Sequence, residues 1–91
     1  MNPRRGMAVV GGGTITFVAM NSVMVLEMNG ELASVKRDEL KIDWEHPSTL
    51  GWMLASLLEC GQQVSFKKDK VWIDGGLAPG GTVGEALRRA L

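Results

Sequence analysis

The chain contains no tyrosine, one cysteine and one histidine in 91 residues, and each scarcity removes a class of chemistry. One cysteine cannot close an intrachain disulfide and cannot supply a zinc pattern, so a reducing, cytoplasmic setting is expected. The single histidine, His46, sits between Glu45 and Pro47, where capping or solvation of a helix entry is the ordinary role. Cys60 and His46 flank one predicted helix and so lie about 20 Å apart at 1.5 Å per residue, too far for a dyad. Cys60 itself reads as an inert thiol at the edge of an apolar stripe. No serine stands in a G-x-S-x-G setting. Charge of one sign is also missing: ten basic and ten acidic residues cancel, so no overall field draws the chain to nucleic acid or to an anionic membrane. Long hydrophobic runs are absent. Arg4 and Arg5 precede an apolar stretch from Met7 to Leu26 in the manner of a signal peptide, but Gly11 to Gly13, Thr14, Thr16, Asn21 and Ser22 interrupt it. The remaining runs are too short to span a bilayer, and the stretch reads as buried strands. An enzyme is not expected, nor is a cofactor or a bound metal.

What is present begins with a helix. Pro47 fits a chain entering a helix, Ser48 is a natural N-cap, and Leu50, Met53, Leu54, Leu57 and Leu58 recur at helical spacing. Gly61 suits the residue that ends it. Gly51 costs about 1 kcal/mol against alanine in a helix interior, with close approach of a strand as its compensation. Trp52 falls opposite the stripe, beside Ser56 and Glu59.

Residues 1–13 read as a tail or short edge strand and residues 14–91 as a single α+β domain. Thr14–Met20 and Val23–Met28 are strands by composition. Asn29-Gly30 is the strongest hairpin signal, and a two-residue turn there puts Met28 opposite Glu31, Leu26 opposite Ala33 and Met24 opposite Val35. Leu40, Ile42 and Trp44 alternate with Lys41, Asp43 and Glu45, which argues a further half-buried strand; a short helical turn at Arg37–Leu40 is the alternative. After the helix, a turn at Lys68-Asp69 sets Phe66 opposite Val71, Val64 opposite Ile73 and Ser65 opposite Trp72. Trp72 then points away from the core, as Trp52 does. Residues 75–81 form a loop. A closing helix over residues 82–91 has a Thr82-x-x-Glu85 capping box and a stripe of Val83, Ala86, Leu87, Ala90 and Leu91. The order is β-β-β-(β)-α-β-β-α. The simplest architecture is a two-layer sandwich, one mainly antiparallel sheet with both helices on one face.

Four features compete as sites. The carboxylates Asp38, Glu39, Asp43 and Glu45 match no metal-loop spacing and read as solvated surface. Gly80-Gly81-Thr82 opens a helix, but no P-loop lysine follows and Glu85 opposes phosphate. Lys67, Lys68 and Lys70 crowd a hairpin tip beside Trp72, a combination that binds single-stranded nucleic acid by phosphate contact and base stacking; lysines that blunt an edge hairpin are the plainer reading. The outward tryptophans are the sharpest feature, since tryptophan is enriched at binding hot spots. They serve a partner or a dimer, or the N-terminal tail or glycine loop covers them.

Two local resemblances bear on the fold. The segments MNGELASV (residues 28–35) and STLGWMLASL (residues 48–57) resemble the hairpin and helix of a β-grasp sulfur carrier. Such carriers end in Gly-Gly, whereas this chain ends Arg89-Ala90-Leu91, so carrier activity is not implied. The segment WMLASLLECGQQVSFKKDKVWIDGG (residues 52–76) resembles a helix-hairpin repeat of the enolpyruvyl transferases, without a catalytic residue. Both imply α+β structure. The expected function is a small non-enzymatic protein–protein interaction or regulatory module, homodimeric in one form. Its contact residues are Trp52, Trp72, Ser56 and Glu59, and its partner is another protein or itself, with no membrane. The alternative is a nucleic-acid-binding protein that uses Lys67, Lys68, Lys70 and Trp72.

Overall fold

A computed structural model describes residues 2–91, so Met1 of the expected tail lies outside the described residues. The elements are β1 (Thr14–Val18), β2 (Ser22–Leu26), β3 (Leu32–Lys36), a 3-10 turn (Arg37–Glu39), α1 (Pro47–Glu59), β4 (Val64–Lys67), β5 (Lys70–Ile73), β6 (Gly76–Leu77) and α2 (Val83–Ala90). The α+β class and the broad order are those expected. The strands, however, form two antiparallel three-stranded sheets, β1-β2-β3 and β4-β5-β6, and not one.

The division follows the apolar residues. Met7, Val9, Ile15, Val23 and Val25 make one buried cluster. Met53 and Leu57 of α1, Val71 of β5, and Ala86 and Leu87 of α2 make a second. Both helices therefore serve the second sheet, while the first sheet is closed by its neighbours in sequence. The hairpin and helix that a β-grasp arrangement would pack together belong to different cores. The molecule is correspondingly long, 42 × 24 × 18 Å. Among the described residues no helix is long and apolar enough to cross a membrane.

Met7, Ala8 and Val9 are buried. They lie between β1 and the segment around Ile42: Ile15 N–H donates to Met7 O at 2.9 Å, and Val10 N–H donates to Lys41 O at 2.9 Å. The alternating segment from Leu40 to Glu45 is not a strand; only Ile42 forms a bridge, to Val9. Its apolar residues part company, Leu40 and Ile42 joining the first core and Trp44 the second. This is the crossing between cores, and the 3-10 turn before it is the alternative that the polar break allowed.

The β2–β3 hairpin differs from expectation by one residue. Val23 pairs with Val35, Val25 with Ala33 and Leu26 with Leu32. Glu27 N–H donates to Glu31 O at 2.8 Å and Gly30 N–H to Glu27 O at 2.9 Å. The loop is thus three residues, Met28-Asn29-Gly30, with Gly30 at φ 87°, a type I turn followed by a left-handed residue. A one-residue slip exchanges the two faces of a strand. Here it puts Val23 and Val25 inside together with Ala33 and Val35, whereas the two-residue turn would have set Met24 and Leu26 inward beside Glu31.

The β4–β5 register is the expected one, Val64 with Ile73, Ser65 with Trp72 and Phe66 with Val71. Beyond it, Asp74 and Gly75 both have positive φ, 51° and 84°, and turn the chain into β6, where a loop was expected. In α1 the buried positions are Thr49, Met53 and Leu57, and Leu58 is exposed. The stripe is rotated because Thr49 faces the N-terminal segment: its Oγ1 accepts from Ala8 N–H at 3.2 Å. The N-cap is His46, two residues before the expected Ser48, with Pro47 opening the helix.

Candidate interaction surface

The expected contact residues divide between the two cores. Trp52 projects from α1 and is 42 % exposed. The N-terminal segment partly covers it: a Cβ on Gly6 would stand 3.0 Å from its indole Nε1. It borders a shallow concavity of about 450 Å³ with Arg4, Arg5, Phe17 and Arg37. Ser56 Oγ donates to Trp52 O at 2.9 Å, so its hydroxyl is spent on its own helix, and Glu59 is exposed beyond it.

Trp72 is half-buried on the second sheet. Its register partners are Ser65 and Leu77, on the face away from the second core. Its indole Nε1 is buried without a hydrogen-bond partner among the described residues, and an orphaned donor of this kind is costly unless something satisfies it. Trp72 lines a concavity of about 420 Å³ with Ser65, Lys67, Lys68, Lys70 and Gly75. The tertiary structure thus brings together the four residues of the nucleic-acid alternative. It sets Trp52 in a different concavity.

The remaining candidates have structural occupations. His46 Nδ1 accepts from Ser48 N–H at 3.2 Å and lies 2.9 Å from Ser48 Oγ. Cys60 is exposed, not at the edge of a buried stripe, because the helix ends on it: Gln62 N–H returns to Leu57 O and Gly61 N–H to Leu58 O, the double bond of a Schellman end. Asp38 and Glu39 belong to the 3-10 turn. Glu45 leaves the acidic run altogether. Its Oε1 accepts from Gly84 N–H at 2.9 Å and its Oε2 from Thr82 Oγ1 at 2.7 Å. The first half of the expected capping box is formed, Glu85 N–H donating to Thr82 Oγ1 at 3.2 Å, whereas Glu85 Oε2 accepts from Gly81 N–H, one residue before the N-cap, at 3.2 Å. Two carboxylates therefore hold the amides where a phosphate would sit at the start of α2. Nothing local in the sequence signals Glu45, which is separated from Gly84 by 39 positions.

Sequence reasoning missed a further surface. On the outer face of the first sheet, Phe17 pairs with Met24 and Thr14 with Leu26, and Leu26 with Leu32. Phe17 is 62 % exposed and Leu32 60 %. Cross-strand neighbours stand about 5 Å apart at Cβ, so Phe17, Met24, Leu26 and Leu32 form one apolar patch. The three-residue turn was the signal for it, since that turn decides which face is out. The same sheet frames a concavity of about 540 Å³ between the Val9–Gly13 loop, the hairpin tip and Glu39–Lys41. No known protein family matches this chain, and no curated protein and no solved structure matches it either.

Proposed function

We propose that the protein is a small non-enzymatic protein–protein interaction module. One observation carries this reading: the outer face of β1–β3 leaves Phe17, Leu26 and Leu32 side by side in solvent. Contiguous exposed apolar surface on so small a molecule is the usual mark of a contact site. Trp52, beside Phe17 at the rim of the same sheet, extends the surface, with Ser56 and Glu59 at its margin. A cytoplasmic setting belongs to the proposal and is supported by the lone, exposed thiol of Cys60. A photo-crosslinking residue placed at Phe17 or Leu32 of the full chain is expected to give discrete protein adducts, a second copy included, while the same residue at Asp69 gives none. Absence of discrete adducts from both sheet positions would sink the reading.

A second reading rests on a separate observation, the concavity in which Lys67, Lys68 and Lys70 surround Trp72. Base stacking on the indole with phosphates held by the lysines would bind single strands. Such binding weakens steeply with salt. A fluorescent mixed-sequence oligonucleotide should then bind at low salt and lose affinity on Trp72→Ala; no binding at low salt disposes of it.

A further inference from the structure

The first sheet ends in an open edge, and that edge is complementary to itself. β3 is the terminal strand of the order β1-β2-β3. The bonds Glu27 N–H to Glu31 O and Arg37 N–H to Asn21 O identify the hydrogen-bonded pairs of the β2–β3 ladder. Such pairs alternate along an antiparallel ladder. Ala33 and Val35 therefore bond to β2, and the backbone groups of Leu32, Ser34 and Lys36 point to the free side. The strand is exposed at Leu32, Ser34 and Lys36.

We infer that this edge pairs with β3 of a second copy of the chain, antiparallel about a two-fold axis at Ser34. The inference rests on the interaction-module reading and names its partner. Three two-fold registers set two or more of these outward residues opposite one another, centred on Ala33, Ser34 or Val35. Only the register about Ser34 sets Glu31 opposite Arg37 of the second copy, twice by symmetry. Among the described residues neither side chain is engaged in an ion pair within its own chain. The same register places Leu32 opposite Lys36, whose aliphatic stem can cover it while the ammonium stays in water. Centring on Val35 would instead carry Glu31 past the strand to the 3-10 turn of the second copy, and centring on Ala33 would carry Arg37 to its Met28–Gly30 loop, so neither pairs the two charges. The Ser34 register also engages the outward groups of Leu32, Ser34 and Lys36 on both chains, and the β1-β2-β3 sheets of the two copies become one sheet of six strands. A lysine on an edge ordinarily blunts pairing; here no like charges meet, so the protection fails selectively against the chain's own copy.

The test is charge exchange, read by light scattering on a size-exclusion column with the full chain. Wild type is expected to be a dimer. Glu31→Arg alone and Arg37→Glu alone each create like-charge pairs and should weaken the dimer about tenfold or more. An equimolar mixture of the two variants should restore a dimer, of one chain of each kind. Ser34→Pro removes an outward donor that β2 does not use, so it should abolish dimers while circular dichroism shows the fold retained. A wild-type monomer at every concentration overturns the inference, as does a dimer that none of these variants alters. Adducts to another protein from Phe17 or Leu32 in a monomeric wild type would leave the interaction-module reading standing while this inference fell.

Discussion

At the residue scale, several side chains act across the chain and make sharp predictions. Thr49 is fully buried, and its Oγ1 takes the amide hydrogen of buried Ala8. Thr49→Val keeps the volume but orphans that N–H, and should cost about 1–3 kcal/mol in urea unfolding. Thr49→Ser keeps the acceptor and should cost less. Glu45 caps α2 through Gly84 N–H and Thr82 Oγ1. Its replacement by alanine should cost about 0.5–2 kcal/mol, as for other lost caps. Gly84 admits no side chain, because a Cβ there would collide with Trp44 O and the Glu45 carboxylate. Gly51 is the opposite case. A Cβ at that position meets nothing within 4 Å, so no strand approaches it. Gly51→Ala should stabilise the protein by about 0.5–1 kcal/mol, seen as a raised unfolding midpoint. The face of Trp44 carries the Arg88 guanidinium 4.8 Å from the ring centre, a cation–π contact that ties the crossing segment to α2.

At the element scale, the turns decide what is buried. Gly30 at φ 87° ends the three-residue loop, and any Cβ there is strained. Gly30→Ala should cost about 1–2 kcal/mol by chemical denaturation, and Gly30→Asn less, because asparagine tolerates the left-handed region. The β4–β5 hairpin keeps the expected register, since its Lys68-Asp69 turn is two residues long and both have positive φ. For β2–β3, Asn-Gly favours two loop residues in general, but valines at positions 23, 25 and 35 pull the register the other way. Local turn preference is worth less than burying three β-branched side chains together. The Asp74-Gly75 turn carries the same kind of signal, but the glycine density around it reads as a loop and hides the short strand that follows.

At the scale of the whole molecule, two cores replace one. Ile15 belongs to the first cluster and Met53 to the second, and substitutions without shared neighbours add. Ile15→Val should cost about 0.5–1.5 kcal/mol and Met53→Ala about 2–5 kcal/mol. The double variant should lose the sum within about 0.5 kcal/mol, measured by urea titration; a deviation well beyond that would show that the clusters are one cooperative unit in packing. The Ala8–Thr49 bond joins the N-terminal segment of the first core to α1, and the bridge between Val9 and Ile42 ties that segment to the crossing stretch.

The sequence by itself determined both helices, the strands β1 to β5, the Thr82 cap of α2 and the tip of the second hairpin. Each is a contest settled within a few residues, by periodicity, a cap or a turn. It also brought Trp72 and three lysines to one hairpin, where the structure finds them around one concavity. Tertiary structure alone decided that Leu40 and Ile42 go to one core and Trp44 to the other, that Glu45 caps a helix 39 positions away, and that Phe17, Leu26 and Leu32 face solvent. Those outcomes depend on which apolar surfaces meet. Burial scales with area removed from water and has no direction along the chain, so no local pattern could announce where the single expected sheet would divide.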